Sequence, residues 1–157
     1  KKMYGFRVYA MKDDAGNRLL EGKGKFLLID IQSKRMVKPD QAILDKFTDA
    51  LKEPMTLPFE KWRLDASTPL HSIERTVTHD LIDVNGHLNN AHSVTLAYEV
   101  MDPDIMDAAS IESMFVRYRK EAFKNDRLTI TLYRESEGYG VLIKRGDTVI
   151  SELLFKH

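Results

Sequence analysis

The run Asn90-Ala91-His92-Ser93-Val94-Thr95-Leu96-Ala97-Tyr98-Glu99-Val100-Met101 decides how the rest of the chain is read. Val94, Ala97, Tyr98 and Met101 recur at i, i+3, i+4 and i+7, which predicts an amphipathic helix with that stripe against a core, and Asp102-Pro103 stops it. On the N-terminal side lie a polar loop and, before it, a short strand near Ser72 to Val77. On the C-terminal side the pattern switches to extended segments at Ser113 to Arg119, Arg127 to Glu135, Tyr139 to Arg145 and Thr148 to Lys156, the last two joined by a tight turn at Gly146-Asp147. One helix among antiparallel strands predicts an α+β fold with the helix lying on a curved sheet.

Further upstream, Tyr4 to Met11 alternates and Asp13-Asp14-Ala15-Gly16-Asn17 supplies a turn, so a hairpin is expected. Its second arm runs from about Arg18 to Asp30, with a bulge or a close backbone approach expected at Gly22 and Gly24, and Gln32-Ser33-Lys34-Arg35 ends it. Pro39 suits a helix's first turn, and Ala42, Ile43, Phe47, Ala50 and Leu51 predict a helix over Asp40 to Leu51. From Lys52 to Pro69, three prolines and Trp62 among polar residues read as a linker. Three parts are therefore expected: residues 1–51, a linker at 52–69 and a C-terminal domain at 70–157. An echo between Tyr4-Gly5 with Phe26-Leu27-Leu28 and Tyr139-Gly140 with Leu153-Leu154-Phe155 suggests that the first part closes a repeat whose opening strand and helix are absent.

The chain has 157 residues, 43% of them hydrophobic, enough for one core. Lys+Arg and Asp+Glu both number 24, so no global field favours nucleic acid or an anionic membrane. With no cysteine, disulfides, thiolate metal sites and a Cys nucleophile are excluded. No apolar run approaches the roughly 20 residues that cross a bilayer, and no signal-peptide core is present, which leaves a cytoplasmic location as the expectation. Gly16 to Gly22-Lys23 has the wrong spacing for a phosphate loop, and neither G-x-S-x-G nor H-E-x-x-H occurs. The spacing of His71, His79, His87 and His92 fits no zinc pattern, so neither a metal nor a cofactor is expected.

Chemistry concentrates instead in His79 to Asn90, with two imidazoles, two acids and three amides. Asn89 or Asn90 can cap the helix, whereas Asp83, Asn85 and His87, at i, i+2 and i+4 of an extended segment, would point to one side. Asp83-Val84-Asn85-Gly86-His87-Leu88-Asn89-Asn90 resembles the D-x-N-x-H-x-N-N signature of acyl-acyl carrier protein (ACP) thioesterases of the plant and bacterial type. Tyr118-Arg119-Lys120-Glu121-Ala122-Phe123-Lys124-Asn125-Asp126 is similar to that family's second motif, Y-R-x-E-C-x-x-x-D, with Ala122 where cysteine is common. Phe26-Leu27-Leu28-Ile29-Asp30, Lys34-Arg35 and Pro39 resemble the end of the family's first repeat.

The resemblance implies a tandem hotdog, with the second repeat complete here and the first partial, and hydrolysis of fatty acyl-ACP thioesters. It carries catalytic expectations onto Asp83, Asn85, His87 and Glu121, with Glu121 as general base, His87 sharing its proton, Asn85 placing water or carbonyl and Asp83 orienting its neighbours. Oxyanion donors are expected among backbone N–H groups near Asn89 to Ala91. Asn89, Asn90, Arg117, Arg119 and Lys124 are expected to bind substrate, the cations receiving an ACP that carries a fatty acyl-phosphopantetheine. The fragment is expected to pair with a second copy or with the missing N-terminal repeat. A hotdog thioesterase acting on coenzyme A esters and a non-catalytic acyl-binding or assembly module are the alternatives; both Glu121 and His87, whose loss would mark the module, are present.

Overall fold

The computed structural model describes residues 4–33, 35–46, 61–101, 103, 105 and 111–157. The chain divides into two compact units, Lys1–Glu60 and Lys61–His157.

In the first unit, β1 (Tyr4–Lys12) and β2 (Arg18–Leu27) form an antiparallel hairpin. The Asp13 carboxylate closes its turn by accepting from the Asn17 backbone N–H at 2.7 Å and from the Asn17 amide at 2.9 Å. The expected bulge at Gly22 and Gly24 does not occur; the register shifts at Met11/Lys12, beside the turn. Gly24 has a packing reason instead, since a side chain there would meet the Phe26 ring at 2.6 Å, whereas Gly22, paired with Tyr9, has room for one. The second arm also ends at Leu27, short of Asp30, and continues only as an isolated bridge between Ile29 and Met36. Next, α1 (Gln41–Asp45) starts from Asp40, whose carboxylate accepts from Ile43 N–H at 2.8 Å. Pro39 therefore precedes the cap, not the first turn, and the expected helical residues 47–51 lie outside the described residues.

The second unit holds β3 (Thr68–Thr76), a 3₁₀ turn at His79–Leu81, α2 (Asn90–Val100), β4 (Ser113–Tyr118), β5 (Arg127–Glu135), β6 (Gly138–Arg145) and β7 (Thr148–Lys156). The five strands run in the order β3-β5-β6-β7-β4, with every neighbouring pair antiparallel. Strand β3 begins before Ser72, inside the stretch read as linker, because Pro69 sits on an edge strand, where its missing N–H costs no ladder bond. Between β5 and β6, Gly138 has φ +149, and an added Cβ would lie 2.0 Å from the Phe155 carbonyl oxygen, so only glycine fits.

Helix α2 lies across this sheet, making the α+β hotdog arrangement that the resemblance implies. Leu96, Ala97 and Val100 pack with Leu128, Ile130 and Leu132 of β5, Val141 and Ile143 of β6, and Leu153 and Phe155 of β7. Ser93, Leu96, Ala97 and Val100 are buried in the helix; of the expected stripe, Ala97 and Met101 lie in the core and Val94 packs against it, while Tyr98 is 39% exposed. The structure buries Leu96 and Val100, each contributing about 1.5–3 kcal/mol, and takes Ser93 inside with them.

Candidate active site

Polar residues ahead of α2 form a tight loop rather than an extended strand. Ile82 bridges Leu88, the Asp83 N–H donates to His87 C=O at 2.8 Å, and the Gly86 N–H donates to Asp83 C=O at 3.0 Å. Gly86 takes φ +79 to make this reversal, so Asp83, Asn85 and His87 do not project from one face of a strand. The Asp83 carboxylate turns inward, accepting from the Asn85 N–H at 2.8 Å, the Asn85 side-chain amide at 3.2 Å and the His87 N–H at 3.4 Å. The Asn85 amide is the main cause that lowers the Asp83 pKa, partly opposed by burial and helped by the Asn85 side chain and by His87. Asp83 is thus the strut of the loop, and Val84 stands fully exposed at its tip.

The second motif reaches this loop through β4. Beyond Tyr118 the Arg119 and Lys120 amides both donate to Ile150 C=O, at 2.8 and 3.2 Å, and the chain swings towards the loop. There the Leu88 N–H donates to Ala122 C=O at 2.8 Å, and His87 bridges Phe123. These backbone contacts bring Glu121 Oε1 within 3.5 Å of His87 Nδ1. The Phe123 ring stands edge-on to His87, centroids 5.1 Å apart, and limits how the imidazole can turn. Glu121 remains exposed, whereas the Ala122 side chain is 1% exposed and belongs to the core. A side chain at 122 therefore faces away from the Glu121–His87 pair.

Asp126 anchors the far end of the motif. Its carboxylate accepts from the Phe123 N–H at 2.8 Å and pairs with Arg145 at 2.5 Å. Burial opposes its ionisation, but the Phe123 amide and Arg145 outweigh it and hold the carboxyl below its ordinary value. A depressed folded-state pKa gives stability that is present above the unfolded-state value of about 3.9 and is lost as pH falls through the folded-state value. Chemical denaturation at a series of pH values is therefore expected to show a midpoint that drops between about pH 5 and pH 2. Asp126→Asn is expected to lower the midpoint at neutral pH and to flatten that acid limb. An acid limb as steep as before would remove Asp126 from this account.

At the start of α2, Asn89 is the cap. Its side-chain oxygen accepts from the Ala91 N–H at 2.9 Å, its carbonyl accepts from the His92 N–H at 2.9 Å, and its own N–H donates to Leu81 C=O at 2.9 Å. Of the amides expected to receive an oxyanion, those of Asn89 and Ala91 are thus engaged. Among the described residues the Asn90 N–H has no acceptor. The Asn90 carbonyl accepts from the Tyr118 hydroxyl at 3.0 Å, a contact that sequence reasoning did not assign although Tyr118 opens the second motif.

Of the expected cations, Arg117, Arg119 and Arg127 pair with carboxylates of neighbouring strands, whereas Lys120 and Lys124 lie outside the strands. Arg117 donates to Glu152 at 3.1 Å and to Trp62 C=O at 2.9 Å, with its guanidinium 4.2 Å from the Trp62 ring centre. Arg119 donates to the same Glu152 carboxylate at 2.8 Å, and Arg127 pairs with Glu74 at 3.1 Å. Arg117 and Glu152 are register partners, one position removed from the pair Tyr118 and Ser151, so they occupy the opposite face from Tyr118. Lys120 and Lys124, flanking Glu121, are exposed. Among the described residues, no three His, Asp or Glu side chains converge as a metal site.

Comparison with known proteins bears on the whole chain. A family model described as the acyl-ACP thioesterase C-terminal domain matches residues 70–149. No curated protein matches in sequence. Among solved structures, the 12:0-ACP thioesterase from Umbellularia californica superposes with a TM-score of 0.83 at 17% identity, over 99% of this chain and 61% of that one. An acyl-ACP thioesterase from Bacteroides thetaiotaomicron superposes with a TM-score of 0.81 at 16% identity, over 99% of this chain and 63% of that one. The chain thus spans less than two thirds of either structure's length, and the likeness is one of fold. With the family match covering the signature loop, α2 and the segment that carries Glu121, this chain belongs to the acyl-ACP thioesterase family, whose C-terminal domain it contains.

Proposed function

We propose that this protein hydrolyses fatty acyl-ACP thioesters, releasing a free fatty acid in the cytoplasm as part of fatty acid synthesis. The observation that carries the reading is the Glu121–His87 pair, 3.5 Å apart, in the same loop cluster as the unfilled Asn90 N–H. Thioester hydrolysis needs a base for water, a partner for that base and a donor for the oxyanion. Glu121 takes a proton from water as the water oxygen bonds to the acyl carbon, and the carbonyl electron pair moves onto oxygen opposite the Asn90 N–H. Collapse of that intermediate breaks the carbon–sulfur bond, and the proton held by Glu121 and shared with His87 passes to the departing thiolate. Asn85 supports the placing of water, since its Nδ2 is tied to Asp83 and its side-chain oxygen is thereby oriented. Lys120 and Lys124 are exposed cations flanking Glu121 in sequence and would meet the phosphate of the pantetheine arm or the acidic carrier. Arg117 and Arg119, engaged with Glu152, support the sheet rather than a free docking patch.

The test compares kcat/KM for matched acyl-ACP and acyl-CoA thioesters across medium and long chains. A higher value on the ACP esters is expected. A higher value on the CoA esters would replace the partner, and no hydrolysis at any chain length would replace the reaction with acyl binding.

A further inference from the structure

We infer that Tyr118 is a positioning residue for the oxyanion donor, holding the first residue of α2 in place through its hydroxyl. This rests on the functional reading above and assigns a further residue to the same site. Tyr118 is the last residue of β4 and pairs with Ser151 of β7, on the same sheet face as Val116 and Leu153, which belongs to the core under α2. From that face its hydroxyl crosses to the Asn90 carbonyl at 3.0 Å, joining residues 28 positions apart. Immediately after Tyr118 the paired amides of Arg119 and Lys120 redirect the backbone towards Glu121. One strand end therefore delivers the base and grips the residue whose N–H has no acceptor.

Two features separate this from ordinary structural bonding. A carbonyl in the first turn of an α-helix accepts from the helix itself and has a second lone pair to offer, so the Asn90 C=O does not need Tyr118 to escape an unsatisfied state. Tyr118 is 46% exposed, so its hydroxyl could reach water instead. The bond restricts where residue 90 sits and leaves burial unchanged. Burial of the ring raises the phenol pKa, which keeps the hydroxyl a donor throughout the neutral range. The Ser151 hydroxyl, at the position paired with Tyr118, is buried and has no hydrogen-bond partner among the described residues.

The experiment is a double-mutant cycle on acyl-ACP hydrolysis between Tyr118→Phe and Asn90→Pro, the second of which removes the N–H that Tyr118 is held to position. Tyr118→Phe is expected to lower kcat up to about ten-fold, the reach of one hydrogen bond. KM is expected to stay within about two-fold, and Tm within about 4 °C. In the Asn90→Pro background, Tyr118→Phe is expected to have no further effect on kcat, because both changes act through the same N–H. Unaltered kcat in Tyr118→Phe, a fall in kcat matched by a fall in Tm, or additive effects in the double variant would each overturn the inference while hydrolysis by the unsubstituted protein upholds the functional reading. Absence of hydrolysis by the unsubstituted protein would overturn both.

Discussion

Glu121→Gln is expected to lower kcat for thioester hydrolysis by about 10²–10⁴-fold with the fold intact, the range that a positioned general base contributes. The substitution keeps the shape of the side chain and removes only its capacity to take a proton from water. Glu121 is exposed, with His87 at 3.5 Å as its neighbour, so no buried partner is stranded by the change. Stability should therefore move by no more than about 0.5 kcal/mol, the usual range for a surface substitution. His87→Ala is expected to lower kcat as well and also to loosen the loop, since the Phe123 ring loses the imidazole it stands against. Steady-state rates with thermal melts on the same preparations check this. Wild-type turnover in Glu121→Gln would return Glu121 to the role of a solvated acid among Arg119, Lys120 and Lys124.

Asn90→Pro is expected to lower kcat by about 10²–10³-fold, the effect of removing one oxyanion donor. Proline is well tolerated at the first position of a helix, where its φ suits the turn and its missing N–H has no helical acceptor to lose. Asn90 is that first position. The preceding residue must be extended, and Asn89 already sits at φ −60, ψ 134 while capping the helix from its side chain. The substitution therefore deletes an amide that has no acceptor among the described residues and leaves the cap and the Tyr118 contact to the Asn90 carbonyl in place. Asn90→Ala separates side chain from backbone, because it retains the N–H; its kcat is expected to stay near wild type. Equal losses in the two variants would assign the effect to the Asn90 side chain, and an active proline variant would move the oxyanion donor elsewhere.

Much of this protein could be read along the chain because its signals are local. Arg127 to Glu135 alternates cleanly, it and Thr148 to Lys156 are strands over those same residues, and Asp102-Pro103 marks the end of α2 at Val100. The two motifs could be recognised as strings of residue types, and so could their order on either side of the helix. What a string does not carry is direction. Helical spacing marked Val94, Ala97 and Met101 for the core, but only the sheet beneath α2 draws in Leu96 and Val100 as well and leaves Tyr98 exposed. In the same way, Asp83, Asn85 and His87 would share a face if the backbone were extended. Hydrogen bonds from Asp83 to its neighbours, with Gly86 at positive φ, fold them into a loop instead.

Tertiary structure also decided which polar groups are free. Sequence placed Arg117, Arg119 and Lys124 in one basic segment, yet Glu152 on the neighbouring strand engages both arginines. Three adjacent amides at the helix start were equivalent candidates along the chain. Leu81 and the Asn89 side chain, brought there by the fold, engage two of them and leave the Asn90 N–H open. By itself the sequence determined the family signature and the periodicities of helix and strand, which depend on near neighbours alone. The meeting of Glu121 with His87, 34 residues apart in the chain, depends on β4 pairing with β7 and on the Leu88–Ala122 contact, and those long-range bonds exist only in the folded molecule.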